Sequence, residues 1–72
     1  MYEVRAMVSG TVVRVVVDEG QLIAEDEPLA FVDADGVEAE IVTAVPGVVR
    51  ELYVDRGTVV RPNDVVASID ES

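Results

Sequence analysis

The sequence contains neither cysteine nor histidine, and its five basic residues are all arginine, so lysine is missing as well. Without thiolate or imidazole there is no Cys or His nucleophile, no Ser-His-Asp relay, no zinc site of the usual Cys/His type and no unperturbed side chain titrating near neutrality. The lack of cysteine is compatible with a reducing compartment. No apolar run approaches the ~20 residues that a bilayer-crossing helix needs. The opening Met1-Tyr2-Glu3-Val4-Arg5 has neither the charged nor the apolar region of a signal peptide. A soluble, cytoplasmic protein without membrane contact is therefore expected. Positive charge is scarce: 15 acidic residues against 5 basic ones give a net charge of −10. That balance repels phosphate backbones and anionic lipids, so nucleic acid is not an expected partner. It fits a solvated acidic shell or a specific basic partner. Acid excess with arginine in place of lysine suits a high-salt cytoplasm, and a GC-rich genome accounts for the arginines equally well.

What is present is valine, 18 of 72 residues, in a chain that is 50% hydrophobic. This describes a folded, strand-rich domain and not a disordered acidic tail. At 72 residues it is one small domain, close to the size at which a core only just offsets chain entropy. Sliding the sequence by 37 positions aligns residues 3–33 with 40–70 without a gap. Nine pairs are then identical, among them Gly10/Gly47, Asp18/Asp55, Gly20/Gly57 and Asp33/Asp70. Each half carries G-x-V-x-x-[VL]-x-V-D-x-G, as GTVVRVVVDEG and GVVRELYVDRG. The apolar positions Val12, Val15 and Val17 break a period of two at their first step, and a β-bulge near Val13 and Arg14 restores one inward face. Val49, Leu52 and Val54 repeat the irregularity. These six, with Leu29 and Val66, form the expected core.

Positive φ is expected at Gly20 and Gly57, and the turn residues Asp26 and Asn63 are of types that tolerate it. Frequent turn signals and the lack of any amphipathic helical window predict about eight short strands, four per half, in an all-β sandwich or barrel. A doubled unit that closes on itself has a pseudo-twofold axis. The joint between the halves, residues 34–39 within DADGVEAE, then lies at one end of the body and the chain termini near the other. Asp35-Gly36 is a strong signal for a two-residue type I′ hairpin turn.

These segments, SGTVVRVVVDEG, PLAFVDADGVEAEI and PGVVRELYVDRG, resemble the biotinyl/lipoyl carrier domains, from about Ala6 to Ile69. Members of that family carry a swinging prosthetic arm in carboxylases and 2-oxoacid dehydrogenase complexes. The resemblance implies a flattened β-barrel of two four-stranded antiparallel sheets. It also implies that the joint hairpin is where an acceptor lysine sits, within E-A-M-K-M for biotin or E-T-D-K-A for lipoate. Laid on that pattern, Asp33 takes the Glu position, Ala34 the Ala or Thr, Asp35 the residue before the lysine, Gly36 the lysine itself and Val37 the residue after it. Biotin and lipoate are both joined to a lysine ε-amine, which this chain lacks, so the expected cofactor is none. Asp26 also replaces a glycine usual in the turn before the fourth strand.

Two functions follow as expectations. One is a non-acylated docking or structural module that contacts carboxylase or 2-oxoacid dehydrogenase subunits through its acidic hairpin. The other is a carrier domain whose lysine was substituted by engineering or divergence. A third reading makes Asp33, Asp35, Glu38 and Glu40 hard oxygen ligands, but the spacing departs from a calcium loop. Catalysis is not expected: Glu25-Asp26-Glu27 would need a cleft to separate their pKa values, and Tyr2 and Tyr53 read as half-buried packing residues.

Overall fold

Valine-rich stretches punctuated by turns form eight strands in the computed structural model, which describes residues 1–71. They are β1 (Tyr2–Arg5), β2 (Gly10–Val15), β3 (Leu22–Ile23), β4 (Pro28–Ala34), β5 (Val37–Val42), β6 (Gly47–Leu52), β7 (Val59–Val60) and β8 (Val65–Glu71). Two four-stranded sheets result, in the orders β1-β8-β6-β3 and β5-β4-β2-β7, with every pairing antiparallel. Advancing each strand of the first sheet by four places yields the second. The sequence repeat is thus a pseudo-twofold axis, and each sheet draws two strands from each half.

The halves interlock through matched hydrogen bonds. Gly20 N–H donates to the Val49 carbonyl at 2.7 Å, and Gly57 N–H donates to the Val12 carbonyl at the same distance. Asp26 N–H reaches the Thr43 carbonyl at 2.7 Å and Asn63 N–H reaches that of Ala6 at 2.8 Å. Each half's turns therefore satisfy backbone groups of the other half, so neither half is a closed unit alone. Asp26 and Asn63 take left-handed backbone (φ 66° and 75°), as do Gly20 and Gly57. The expected bulges are present at matched places, between Val12 and Arg14 opposite β4 and between Val49 and Glu51 opposite β8.

Val12, Val17, Leu29, Val49, Val54 and Val66 are buried as expected, joined by residues such as Val4, Ile23, Val32, Ile41, Val60 and Ile69. Val15 and Leu52 depart from expectation: they pack against the core but are only half-buried. The cause lies in the short edge strands. β7 pairs with β2 only at Gly10 and Thr11, and β3 pairs with β6 only at Gly47 and Val48. The far ends of β2 and β6 consequently have a neighbour on one side alone. Tyr2 is half-buried, whereas Tyr53 is exposed at 51%.

Gly10 and Gly47 mark where β2 and β6 lie tight against their sheet neighbours β4 and β8. A Cβ on Gly47 would fall on the Asp70 carbonyl oxygen and 2.9 Å from Ile69 Cγ2; one on Gly10 would fall on the Asp33 carbonyl oxygen and 2.6 Å from Val32 Cγ1. β1 leads away from the chain ends, and β2 opens beside the β4–β5 hairpin, with Thr11 opposite Asp33. Hairpin and chain ends thereby sit at opposite poles of a body 35 × 18 × 16 Å.

Candidate functional site

The β4–β5 hairpin is the longest continuous pairing in the molecule, running in register from Ala34↔Val37 back to Ala30↔Ile41. Asp35 (φ 59°) and Gly36 (φ 85°) occupy its two central positions, the pair of positive angles that a type I′ turn requires and that the strand twist favours. The Asp33 side chain fixes this geometry: its Oδ1 accepts a hydrogen bond from the Gly36 N–H at 2.9 Å. The structure therefore brings Asp35, Gly36 and Val37 together at one pole, all exposed, with Val37 at 68%. A Cβ built on Gly36 meets nothing within 4 Å.

The outer face beneath the tip carries Arg14, Phe31, Glu38 and Glu40. Arg14 and Glu40 lie opposite Phe31 on either side, and Glu38 lies opposite Asp33. The Arg14 guanidinium sits 4.2 Å from the Phe31 ring centroid and 3.7 Å from Glu38 Oε1. With Arg14 and Glu38 both more than half exposed, water screens the ion pair and it adds little stability.

Of Glu25-Asp26-Glu27, the last has structural work. Glu27 Oε1 accepts from the Ala24 N–H, and at the matched turn Asp64 Oδ2 accepts from the Arg61 N–H, both at 2.9 Å. Among the described residues no three acidic side chains gather as a metal site requires, and no cavity forms. Asp33, Glu38 and Glu40 share the outer face but do not converge on one point: Asp33 is turned to the Gly36 N–H, Glu38 faces Arg14, and Asp35 lies in the turn. Biotin and lipoate attachment does not fit either, because the hairpin residues Asp33 to Glu38 offer carboxylates and apolar groups but no amine. Sequence reasoning missed the Asp33 clasp and the Arg14–Phe31 contact. The first had a signal, since an Asp side chain readily accepts from main-chain N–H groups shortly after it in the chain; the second depends on a register that the bulge sets.

The family described as biotin-requiring enzyme matches residues 2–69. The dihydrolipoyllysine-residue acetyltransferase component of the pyruvate dehydrogenase complex from Staphylococcus epidermidis is 41% identical over 61 residues, covering 85% of this chain and 14% of the relative. The biotin carboxyl carrier protein of Streptococcus mutans is 33% identical over 64 residues, covering 89% of this chain and 49% of the relative. The chain thus spans half or less of the length of these curated relatives. Among solved structures, Kluyveromyces lactis urea carboxylase superposes with a TM-score of 0.90 at 19% identity, over 96% of this chain and 6% of that one. The lipoyl domain of the 2-oxoglutarate dehydrogenase complex from Azotobacter vinelandii superposes at 0.72 with 23% identity, over 89% of this chain and 81% of that one. At these identities the structural likeness bears on the fold alone.

Proposed function

The chain belongs to the biotin/lipoyl attachment family, whose members carry biotin or lipoate through a lysine, and from that premise we propose that it is a non-acylated member, a docking or structural module of a multienzyme complex. One observation carries the reading: there is no lysine anywhere in the sequence. In the proposal Gly36 stands at the acceptor position, flanked by Asp35 and Val37, and the hairpin is a contact surface instead of an arm-bearing one. The exposed Val37 and the carboxylates of Asp33, Asp35 and Glu38 supply an apolar contact and negative charge for a protein partner, of the carboxylase or 2-oxoacid dehydrogenase subunit kind. The module is proposed to be cytoplasmic, to make no chemistry of its own and to bind neither nucleic acid nor membrane.

The open space around Gly36 favours a second reading, a carrier domain whose lysine was substituted, because the turn accommodates a side chain sterically. Expressing Gly36→Lys with biotin ligase and with lipoate ligase, then weighing the intact protein, separates the two. The parent is expected to gain no mass with either enzyme. A folded Gly36→Lys that stays unmodified supports the non-acylated module, whose surface has drifted from a ligase substrate. Modification of the variant by either ligase overturns that reading in favour of a substituted carrier.

A further inference from the structure

We propose that Asp35-Gly36 is a site of self-modification, converting Asp35 to isoaspartate through a succinimide, and that the Asp33 clasp on Gly36 gates the reaction. The premise is local chemistry. A main-chain nitrogen attacks the side-chain carboxyl of the preceding Asp most readily when its own residue carries no side chain to obstruct ring closure. The remaining Asp residues are followed by Glu19, Glu27, Ala34, Arg56, Val65 and Glu71, so Asp35 is the one aspartate followed by glycine. Both residues of the pair are exposed, and the space where a side chain on Gly36 would lie is open to 4 Å.

The steps balance with water as the only co-reactant. The Gly36 nitrogen bonds to Cγ of the protonated Asp35 carboxyl. The Cγ–OH bond breaks, and its hydroxyl leaves with the amide hydrogen as one water. Water then opens the ring in one of two places. Cleavage of the bond from nitrogen to Cγ restores Asp35. Cleavage of the bond from nitrogen to the main-chain carbonyl carbon leaves the chain running through Cβ and Cγ, with the former main-chain carbonyl as a free carboxylate. Nothing is oxidised or reduced, and composition and charge end where they began.

The folded turn opposes the first step. Ring closure needs rotation about the Asp35 Cα–C bond, away from the turn value near +30°, so that the Gly36 nitrogen faces the Asp35 side chain. That rotation breaks the Ala34↔Val37 pairing and pulls the Gly36 N–H off Asp33 Oδ1, where it is held at 2.9 Å. The reaction therefore proceeds from the locally opened hairpin, and its rate reads the open population. The product has one more main-chain carbon in the loop than a two-residue turn allows, so the tip of the hairpin cannot re-form while the rest of β4 keeps its pairing with β2.

The test is incubation of the whole chain at neutral pH in heavy-oxygen water, with peptide mapping and enzymatic isoaspartyl methylation as readouts. Heavy oxygen and isoaspartate are expected to concentrate at residue 35, slowly in the folded parent and much faster in urea. Asp33→Ala, which loses one hydrogen bond to a charged group, is expected to react about tenfold faster than the parent under folding conditions. Gly36→Ala is expected to fall to the level of the other aspartates. Equal rates for a folded Asp33→Ala and the parent overturn the gate, as do equal rates for the parent with and without urea, a comparison that holds even if Asp33→Ala fails to fold. Label at residue 35 no higher than at other aspartates in urea overturns the site itself.

Discussion

Gly47 opens β6 and Gly36 sits in the turn between β4 and β5, and the molecule uses the two glycines for opposite reasons. At Gly47 the backbone angle is one that any residue adopts, but a Cβ would fall on the Asp70 carbonyl oxygen. At Gly36 there is room for a side chain and only the backbone angle is demanding, φ 85°. The first glycine is required by packing between elements, and its pseudo-twofold mate Gly10 is constrained in the same way. The second is required by nothing outside its own turn. The scaffold is therefore strict at these close strand contacts and permissive at its turn, which is the arrangement of a support that holds out a variable tip. Gly47→Ala is the sharpest way to break this contrast. The added methyl meets backbone, which yields poorly, so we expect a loss of about 3 kcal/mol or more in urea melts. A loss below ~1 kcal/mol would mean that β6 shifts freely away from β8 and that the contact is not strict.

The same contrast has a graded form within the core. Leu29 is fully buried, whereas Leu52 packs against the core from the open side of β6 and is only half-buried. Leu29→Ala is expected to cost about 3 kcal/mol, because it removes buried methyls and leaves a cavity. Leu52→Ala is expected to cost about 1 kcal/mol, since part of that side chain already meets water. Equal costs would show that the exposed flank of β6 is covered in solution, for instance by a second copy.

Much of this arrangement is legible in the sequence because it was written twice. The shared break in alternation at Val12-Val13-Arg14-Val15 and Val49-Arg50-Glu51-Leu52 discloses both bulges, and the DG pair discloses the hairpin. What the sequence hides is set by neighbours distant in the chain. The stubby pairing of β3 and β7 leaves Val15 and Leu52 half-covered, and no local pattern around either residue reports how long its partner strand is. The close contact that forbids a Cβ at Gly10 and Gly47 likewise arises from Asp33 and Asp70 in other strands, so the repeat marks these glycines without giving the reason. The hairpin is better read locally, since the I′ turn and the Asp33 clasp together lie within five consecutive residues, Asp33 to Val37.

Gly36→Lys probes the permissive side. With no atom within 4 Å of the new Cβ, the cost is confined to holding a side-chain-bearing residue at positive φ, on the order of 1 kcal/mol. The variant is expected to keep the register Asp33↔Glu38, visible as unchanged cross-strand contacts in NMR spectra. A loss as large as that of Gly47→Ala would erase the distinction between the two glycines, and with it the view of the hairpin as a replaceable tip.

The smallest effect concerns charge, in which the two regions also differ. The close contacts at Gly10 and Gly47 are made by backbone and aliphatic groups, while the hairpin pole exposes Asp33, Asp35, Glu38 and Glu40, with Arg14 beside Glu38 as a balancing cation. A net charge of −10 on a body 35 Å long places most acidic pairs within one Debye length at low salt, about 30 Å at 0.01 M, and beyond it in molar salt, where the length is about 3 Å. Folding draws these charges together, so their repulsion opposes the compact state and mobile ions relieve it. The thermal midpoint is expected to rise by about 2–4 °C between low-salt buffer and molar KCl, corresponding to about 0.5 kcal/mol. Gly36→Lys places a positive charge amid the hairpin carboxylates and is expected to show a smaller rise than the parent, whereas Gly47→Ala, which changes packing alone, is expected to show the same rise from a lower starting point. If the parent midpoint does not move with salt, repulsion is too weak to matter, and the acidic pole then owes nothing of its stability to screening.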